Sequence, residues 1–295
     1  MGSTSCSTCG PTKTDRRSSD GADAEPADHR PCRPFARLTQ ALARELAHDG
    51  GDPTAHRPWP LPRAPWVMAQ TWQDVLFLHW PVPHDVLRAR IPRGLSLDLY
   101  AGQAWLSITP LFVTGLRPRG FFAVPGPSAF PETNVRTYVT RDGKPGVWFF
   151  SLDAGSALAV AAARMLYRLP YYGAEFSIDS ASEYVSYGYR RRDRRASSAS
   201  FAVQYRPVGT PPAPAAAGTL AWWLTERYCL YASGRRHLYR AEIHHRPWPL
   251  ESVEAHISRN TLVDDVMPRL PDAPVVRQFA RNLEVIVWAP ERLSA

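Results

Sequence analysis

The sequence predicts a mainly β protein with a few short helices, and three observations carry that prediction. Runs of strand length, rich in Val, Ile, Tyr, Phe and Trp, recur from Trp72 to Trp288. Turn signals such as Arg141-Asp142-Gly143-Lys144 punctuate them. Within that stretch only 84–90 and 156–167 carry helical signals, closed by Pro92 in the first case and opened by Ser156 as an N-cap in the second. Many strands with few helices imply a barrel or paired curved sheets.

In chain order, residues 1–58 read as a polar tail, with Met1 to Phe35 offering almost nothing to bury and a short helix over 37–47, where Leu38, Leu42 and Leu46 share one face. Cys6 and Cys9 have metal or redox spacing but no second pair, so no metal site is predicted from them. A proline-rich lead-in follows from Pro58 to Pro65, and a single domain is expected over 66–290. Its strands are expected at 72–80, 95–100, 104–113, 134–139, 147–152, 175–189, 197–205, 228–232, 237–245 and 283–288. The Pro/Ala stretch 207–218 reads as a loop within the domain or a link between its halves.

Composition narrows the chemistry. The 295 residues carry a formal charge of +8, and of the 35 Lys+Arg only Lys13 and Lys144 are lysine, leaving 33 arginines. Amine chemistry therefore has two candidates, and Lys144 lies in a turn where an exposed, charged ammonium is expected. No apolar stretch is long enough to span a membrane and no signal-type apolar region follows the polar start, which predicts a cytoplasmic protein. The tail is neutral, with eight basic and eight acidic residues, whereas Arg190 to Arg195 contributes five arginines against Asp193. That run is expected to be a solvated hairpin tip, and a nucleic-acid role for it has no recognition motif behind it.

Side chains alternate along a strand, so Asn134, Arg136 and Tyr138 share a face. A pocket lined by that face would hold an anion on Arg136, oriented by Asn134 and Tyr138, with Glu132 pairing with Arg136 to fix its guanidinium. His79 sits where both strand faces are apolar, which predicts a buried histidine and, as the functional alternative, an acid/base. Arg240, Glu242 and His244 share another face, as an ion-pair ladder or a site, without the spacing of a zinc motif. Ser151 and Asp153 lack a nucleophile elbow, and no phosphate or dinucleotide loop occurs, so no cofactor is called for.

Several segments together resemble the YqjF-like family of uncharacterised bacterial proteins, across roughly Trp66 to Pro290. They are Phe77-Leu78-His79-Trp80-Pro81-Val82, Ile91-Pro92-Arg93-Gly94-Leu95, Glu132-Thr133-Asn134-Val135-Arg136-Thr137-Tyr138-Val139, Gly146-Val147-Trp148-Phe149-Phe150-Ser151-Leu152-Asp153, Ala163-Arg164, Leu169-Pro170-Tyr171 and Tyr239-Arg240-Ala241-Glu242-Ile243-His244-His245. The resemblance implies an acetoacetate-decarboxylase-like fold, a curved antiparallel β-barrel with a central cavity. It also implies a lysine pair after a proline; here Arg164 and Pro170 stand in place, Met165 replaces the acid, and Tyr171 and Tyr172 replace the lysines. A phenol cannot form an imine. The expectation is a small-molecule-binding protein that is not a Schiff-base decarboxylase, its ligand a carboxylate- or carbonyl-containing metabolite. Arg136, Asn134, Tyr138, Glu132, Trp148, Arg164 and Tyr172 are the binding candidates, and Tyr171 or His79 the proton carriers if there is acid/base turnover. The alternative is a binding or accessory module without turnover. Self-association is left open.

Overall fold

A computed structural model describes residues 54–294 apart from Thr210, Arg235 and Arg269; the expected helix over 37–47, the Cys6/Cys9 pair and the tail up to 53 lie outside the described residues. The elements run β1 (Met68–Val82), α1 (His84–Arg88), β2 (Ser96–Leu97), β3 (Ala104–Pro118), β4 (Phe130–Arg141), β5 (Lys144–Ala154), α2 (Ala157–Tyr167), β6 (Tyr171–Asp179), β7 (Val185–Arg191) and β8 (Ser200–Pro207). Then come α3 (Leu220–Thr225), β9 (Cys229–Ser233), β10 (Leu238–His244), β11 (Val253–Asn260), β12 (Val276–Val287) and β13 (Glu291–Arg292). The mainly β expectation holds.

Pairing closes on itself. Going round, β5, β9, β10, β12, β1, β3 and β4 are neighbours, and β4 returns to β5, so seven strands form a ring; β6, β7, β8 and β11 continue from β5 as a second layer. Most pairs are antiparallel, but β5 runs parallel to both β6 and β9, a departure from the wholly antiparallel expectation. The parallel step is possible because α2 returns the chain across the ring between β5 and β6, as a crossover requires. The β4–β5 turn is the predicted one: Arg141 pairs with Lys144, and Asp142 and Gly143 take φ of 52° and 73°, the two positive values of the tightest hairpin turn.

The run of apolar residues on both faces of β1 follows from this layering. Leu76, Leu78 and Trp80 pack with Tyr187, Phe201, Val203 and Tyr205 of the second layer, while Val75 and Phe77 point into the ring with Leu111, Phe130 and Trp248. Each fully buried side chain of this size contributes about 1.5–3 kcal/mol. One ion pair bolts the layers together: Arg191 donates from Nε and Nη2 to the two Asp153 oxygens at 2.6 and 2.7 Å, and Tyr189 donates to the same carboxylate at 3.2 Å.

That pair corrects the picture of a wholly solvated arginine run. Arg191 is buried on β7, Arg192 pairs with Glu175 and Arg195 with Asp193. The single strand expected over 175–189 is divided into β6 and β7, because Asp179 Oδ1 caps the Ala181 N–H at 2.9 Å and turns the chain. The long 95–100 strand shrinks to β2. Both α3, capped by Thr219, and β11 were absent from the expectation.

Residues before Trp66 also pack against the ring. Arg57 is buried and donates to Ile243 O at 2.7 Å and Glu242 Oε2 at 3.1 Å, and Trp59 Nε1 donates to the same oxygen at 2.8 Å. Glu242 also accepts from Lys144 Nζ at 2.7 Å, so Lys144 is held in a half-buried ion pair and not exposed in a turn. Arg240 pairs with Glu291 and not within its own strand face. No helix of the described residues is long and apolar enough to cross a membrane.

Candidate functional site

Inside the ring lies a cavity of about 170 Å³. Its walls are mostly apolar: Trp72 and Phe77 from β1, Leu111 from β3, Phe130 from β4, Phe149 and Leu152 from β5, and Trp248. It opens beside α2, where Ala159, Ala162, Ala163 and the exposed Leu166 form one side. Small alanine side chains on that helix leave the space unfilled.

One strand supplies the polar groups. Glu132, Asn134 and Arg136 alternate inward along β4 and line the cavity, joined by Tyr171 at the start of β6 and Arg227 between α3 and β9. A bulge in the β4–β5 register at Val135/Arg136 bends the strand beside Arg136. Tyr171 donates its hydroxyl to Glu132 Oε2 at 2.7 Å. Burial pushes the Glu132 carboxyl up to about 7, against the hydrogen bonds from Tyr171 and Asn134, and the same pair holds the Tyr171 phenol well above its usual range, chiefly through burial and then through the Glu132 charge.

Arg136 is the unusual member. Its guanidinium is buried and lies over the Phe77 ring at 5.5 Å, and its Nε and Nη2 have no protein acceptor among the described residues. No carboxylate pairs with it there, which corrects the expected Glu132–Arg136 contact; Glu132 is taken by Tyr171 instead. Burial lowers its pKa and the neighbouring Arg227 lowers it further, while Tyr138 opposes both. Arg227, by contrast, is paired: Nη1 donates to Asp98 Oδ2 at 2.5 Å and Nε to Trp223 O at 2.7 Å. Asn134 Oδ1 is likewise buried without a donor.

The other sequence candidates lie elsewhere. Tyr138 continues the β4 face but is sealed behind the cavity, its hydroxyl on His79 Nδ1 at 3.2 Å and its ring 4.6 Å from Trp223. His79 is fully buried and does not line the cavity; desolvation, then Arg136, holds its pKa well below 6.5 and keeps it neutral. Trp148, Arg164 and Tyr172 line a separate outer groove with Arg90 and Arg168, because they sit on the opposite faces of β5, α2 and β6 from the inward residues. Tyr171 and Tyr172, standing where the resemblance implies two lysines, thus face in and out respectively. Arg227, His245 and Trp248 were missed as site residues: Arg227 and Trp248 lie outside the regular strands, where alternation gives no signal, and His245, within the expected 237–245 strand, falls just past the end of β10. The Ser151 hydroxyl is buried with no hydrogen-bond partner among the described residues, so no base engages it, and Asp153 is committed to Arg191. Among the described residues no group of three His, Cys, Asp or Glu comes together as a metal site.

A seven-strand ring around a central cavity, with a second layer continuing from β5, is an acetoacetate-decarboxylase-like fold. Solved structures agree: acetoacetate decarboxylase from Legionella pneumophila superposes with a TM-score of 0.54 at 10% identity, over 82% of this chain and 94% of that one. An acetoacetate-decarboxylase-like enzyme from Sphingomonas wittichii RW1 gives 0.54 at 13% identity, over 81% and 98%. The enduracididine biosynthesis enzyme MppR complexed with pyruvate gives 0.51 at 14%, over 82% and 95%. Within that fold class the chain belongs to the DUF2071 family of uncharacterised conserved proteins, whose match spans residues 69–284. It is 45% identical over 234 residues to the uncharacterised protein YqjF of Bacillus subtilis (strain 168), covering 79% of this chain and 96% of that protein. The only lysine among the described residues, Lys144, is engaged by Glu242 and does not line the cavity.

Proposed function

We propose that the ring cavity binds a small carboxylate- or carbonyl-bearing metabolite, anchored on Arg136, with no Schiff-base lysine in the chemistry. The observation that carries this is the buried Arg136 side chain, which lines the cavity, has no protein counter-ion among the described residues and leaves Nε and Nη2 without an acceptor. An unpaired buried cation costs several kcal/mol, so a fold that keeps one is built to receive an anion. The pyruvate complex of the structural neighbour MppR supports the same kind of ligand.

Turnover by proton transfer is a second reading, favoured by one feature. Glu132 has a carboxyl near 7 and Tyr171 touches it at 2.7 Å, which supplies a proton acceptor and a donor side by side in the cavity. Without turnover the same cavity serves a binding or accessory module. A nucleic-acid role through the 190–195 run loses support, since Arg191, Arg192 and Arg195 are each paired with a carboxylate. The test is a thermal-shift and calorimetric screen of keto and carboxylic acids against the wild type and Arg136→Met. Binding by the wild type that is lost in the variant is expected; equal binding by both, or none by the wild type, overturns the proposal.

A further inference from the structure

The cavity says more about its ligand than the sign of its charge. We infer that the ligand is an amphipathic monocarboxylate: one carboxylate on a compact apolar body, aromatic or branched, of about six to nine carbons. This rests on the reading of Arg136 as the anion anchor.

The number of charges follows from the guanidinium. Nε and Nη2 are the two nitrogens on one edge of the arginine fork, the edge that takes a carboxylate side-on through two parallel hydrogen bonds. That edge is the one left without a protein partner, and it matches one carboxylate. The other cavity arginine, Arg227, already has Asp98 as its counter-ion. A second anionic group elsewhere in the cavity would meet Glu132, which grows more negative as pH rises through neutrality.

The body follows from the remaining walls. Leu111, Phe149 and Leu152 flank the β4 polar row on the neighbouring strands, and Trp72 and Trp248 add aromatic wall. Gln70, Thr109, Thr225 and His245 are further polar groups in a lining that mainly rewards apolar contact. Size is set by the volume: the cavity holds about 170 Å³, and an apolar cavity of about 150 Å³ suffices for benzene. Space for one ring, or a branched chain of similar bulk, with a short acid arm is what remains. Pyruvate would fill the anion end and leave the aromatic walls uncovered.

The experiment is a calorimetric titration series on the full chain at constant pH and ionic strength. Its probes are acetate, pyruvate, 3-methylbutanoate, phenylacetate, 3-phenylpropanoate, decanoate and the neutral phenylacetamide. Affinity should rise about fourfold per buried methylene equivalent from acetate towards phenylacetate. It should fall again for decanoate, which outgrows the cavity, and drop at least tenfold for phenylacetamide. Ala163→Leu, which fills the cavity from a half-exposed helix position where folding is not at stake, should weaken phenylacetate at least fivefold. If acetate or pyruvate binds as tightly as phenylacetate, or if Ala163→Leu leaves phenylacetate unaffected, the inference on the body is overturned while the anion anchor stands. If phenylacetamide matches phenylacetate, or no acid binds, the anchor itself falls.

Discussion

Replacing Arg136 by Met should make the ligand-free protein more stable, although Arg136 lies in the middle of the site. Methionine keeps much of the side-chain length and the contact with Phe77 while removing a buried charge that no carboxylate balances. Leaving a buried charge uncompensated costs about 3–5 kcal/mol, and removing that charge recovers a similar amount. Against this stand the lost cation–π contact with Phe77, about 0.5–2 kcal/mol, and the interaction with Tyr138, about 1 kcal/mol. The net gain is about 1–2 kcal/mol, and at about 2–4 °C per kcal/mol for a domain of this size Tm should rise by about 2–8 °C. Urea and thermal unfolding in buffer free of carboxylates and phosphate measure it. Saturating ligand at a hundredfold excess over Kd would add about 2.7 kcal/mol to the wild type and nothing to the variant, reversing the order. A variant that melts more than 2 °C below the wild type without ligand would mean that the protein itself compensates Arg136, and the argument for an anion site would collapse.

Two other perturbations have defined outcomes. The Glu132 carboxyl is raised to about 7 in the folded protein, so between pH 4.5 and 7 the folded state keeps a proton that the unfolded chain releases; stability attributable to it therefore falls across that window, by about 3 kcal/mol. His79 and His244, the latter held at about 3, work in the opposite sense and lose stability as pH drops below 6.5. The difference between wild type and Glu132→Gln isolates the carboxyl: urea midpoints from pH 5 to 8 should show the variant gaining on the wild type as pH rises, and a pH-independent gap would contradict the assignment. At the parallel seam, a Cβ on Gly146 would lie 2.6 Å from both the Cys229 carbonyl oxygen and its Sγ, so Gly146→Ala should cost at least about 2 kcal/mol by overpacking; an unchanged Tm would show that β5 and β9 separate easily.

Much of this molecule was legible in its residues, for identifiable reasons. Alternation along β4 placed Asn134 and Arg136 on one face, and both do line the cavity. The same alternation put Tyr138 with them, but periodicity states which face a side chain takes and not where the cavity ends; Tyr138 lies one step past it, against His79. Glu132 and Arg136 looked like natural partners at four residues' separation, yet inter-strand geometry gave Glu132 to Tyr171, thirty-nine residues away. Arg191 illustrates the limit of charge runs: one member of a basic cluster was diverted inward because Asp153, on a different strand, needed a partner. Arg57 was hidden in a segment whose composition looked like tail, since a single buried side chain leaves no periodic trace.

The order of the strands also bears on how the chain reaches this state during synthesis. β1, the first strand of the ring, is paired along most of its length with β12, the last long strand. At about 5–20 residues per second the roughly two hundred residues between them take about 10–40 s to translate. Throughout that interval one edge of β1, with Phe77 and Val75 beside it, has no partner and presents an unpaired strand to any neighbour. Its other edge can be covered early by β3. The ring therefore closes only once β12 has been made, and a truncated product ending before Val276 would carry an open, aggregation-prone edge in place of a cavity.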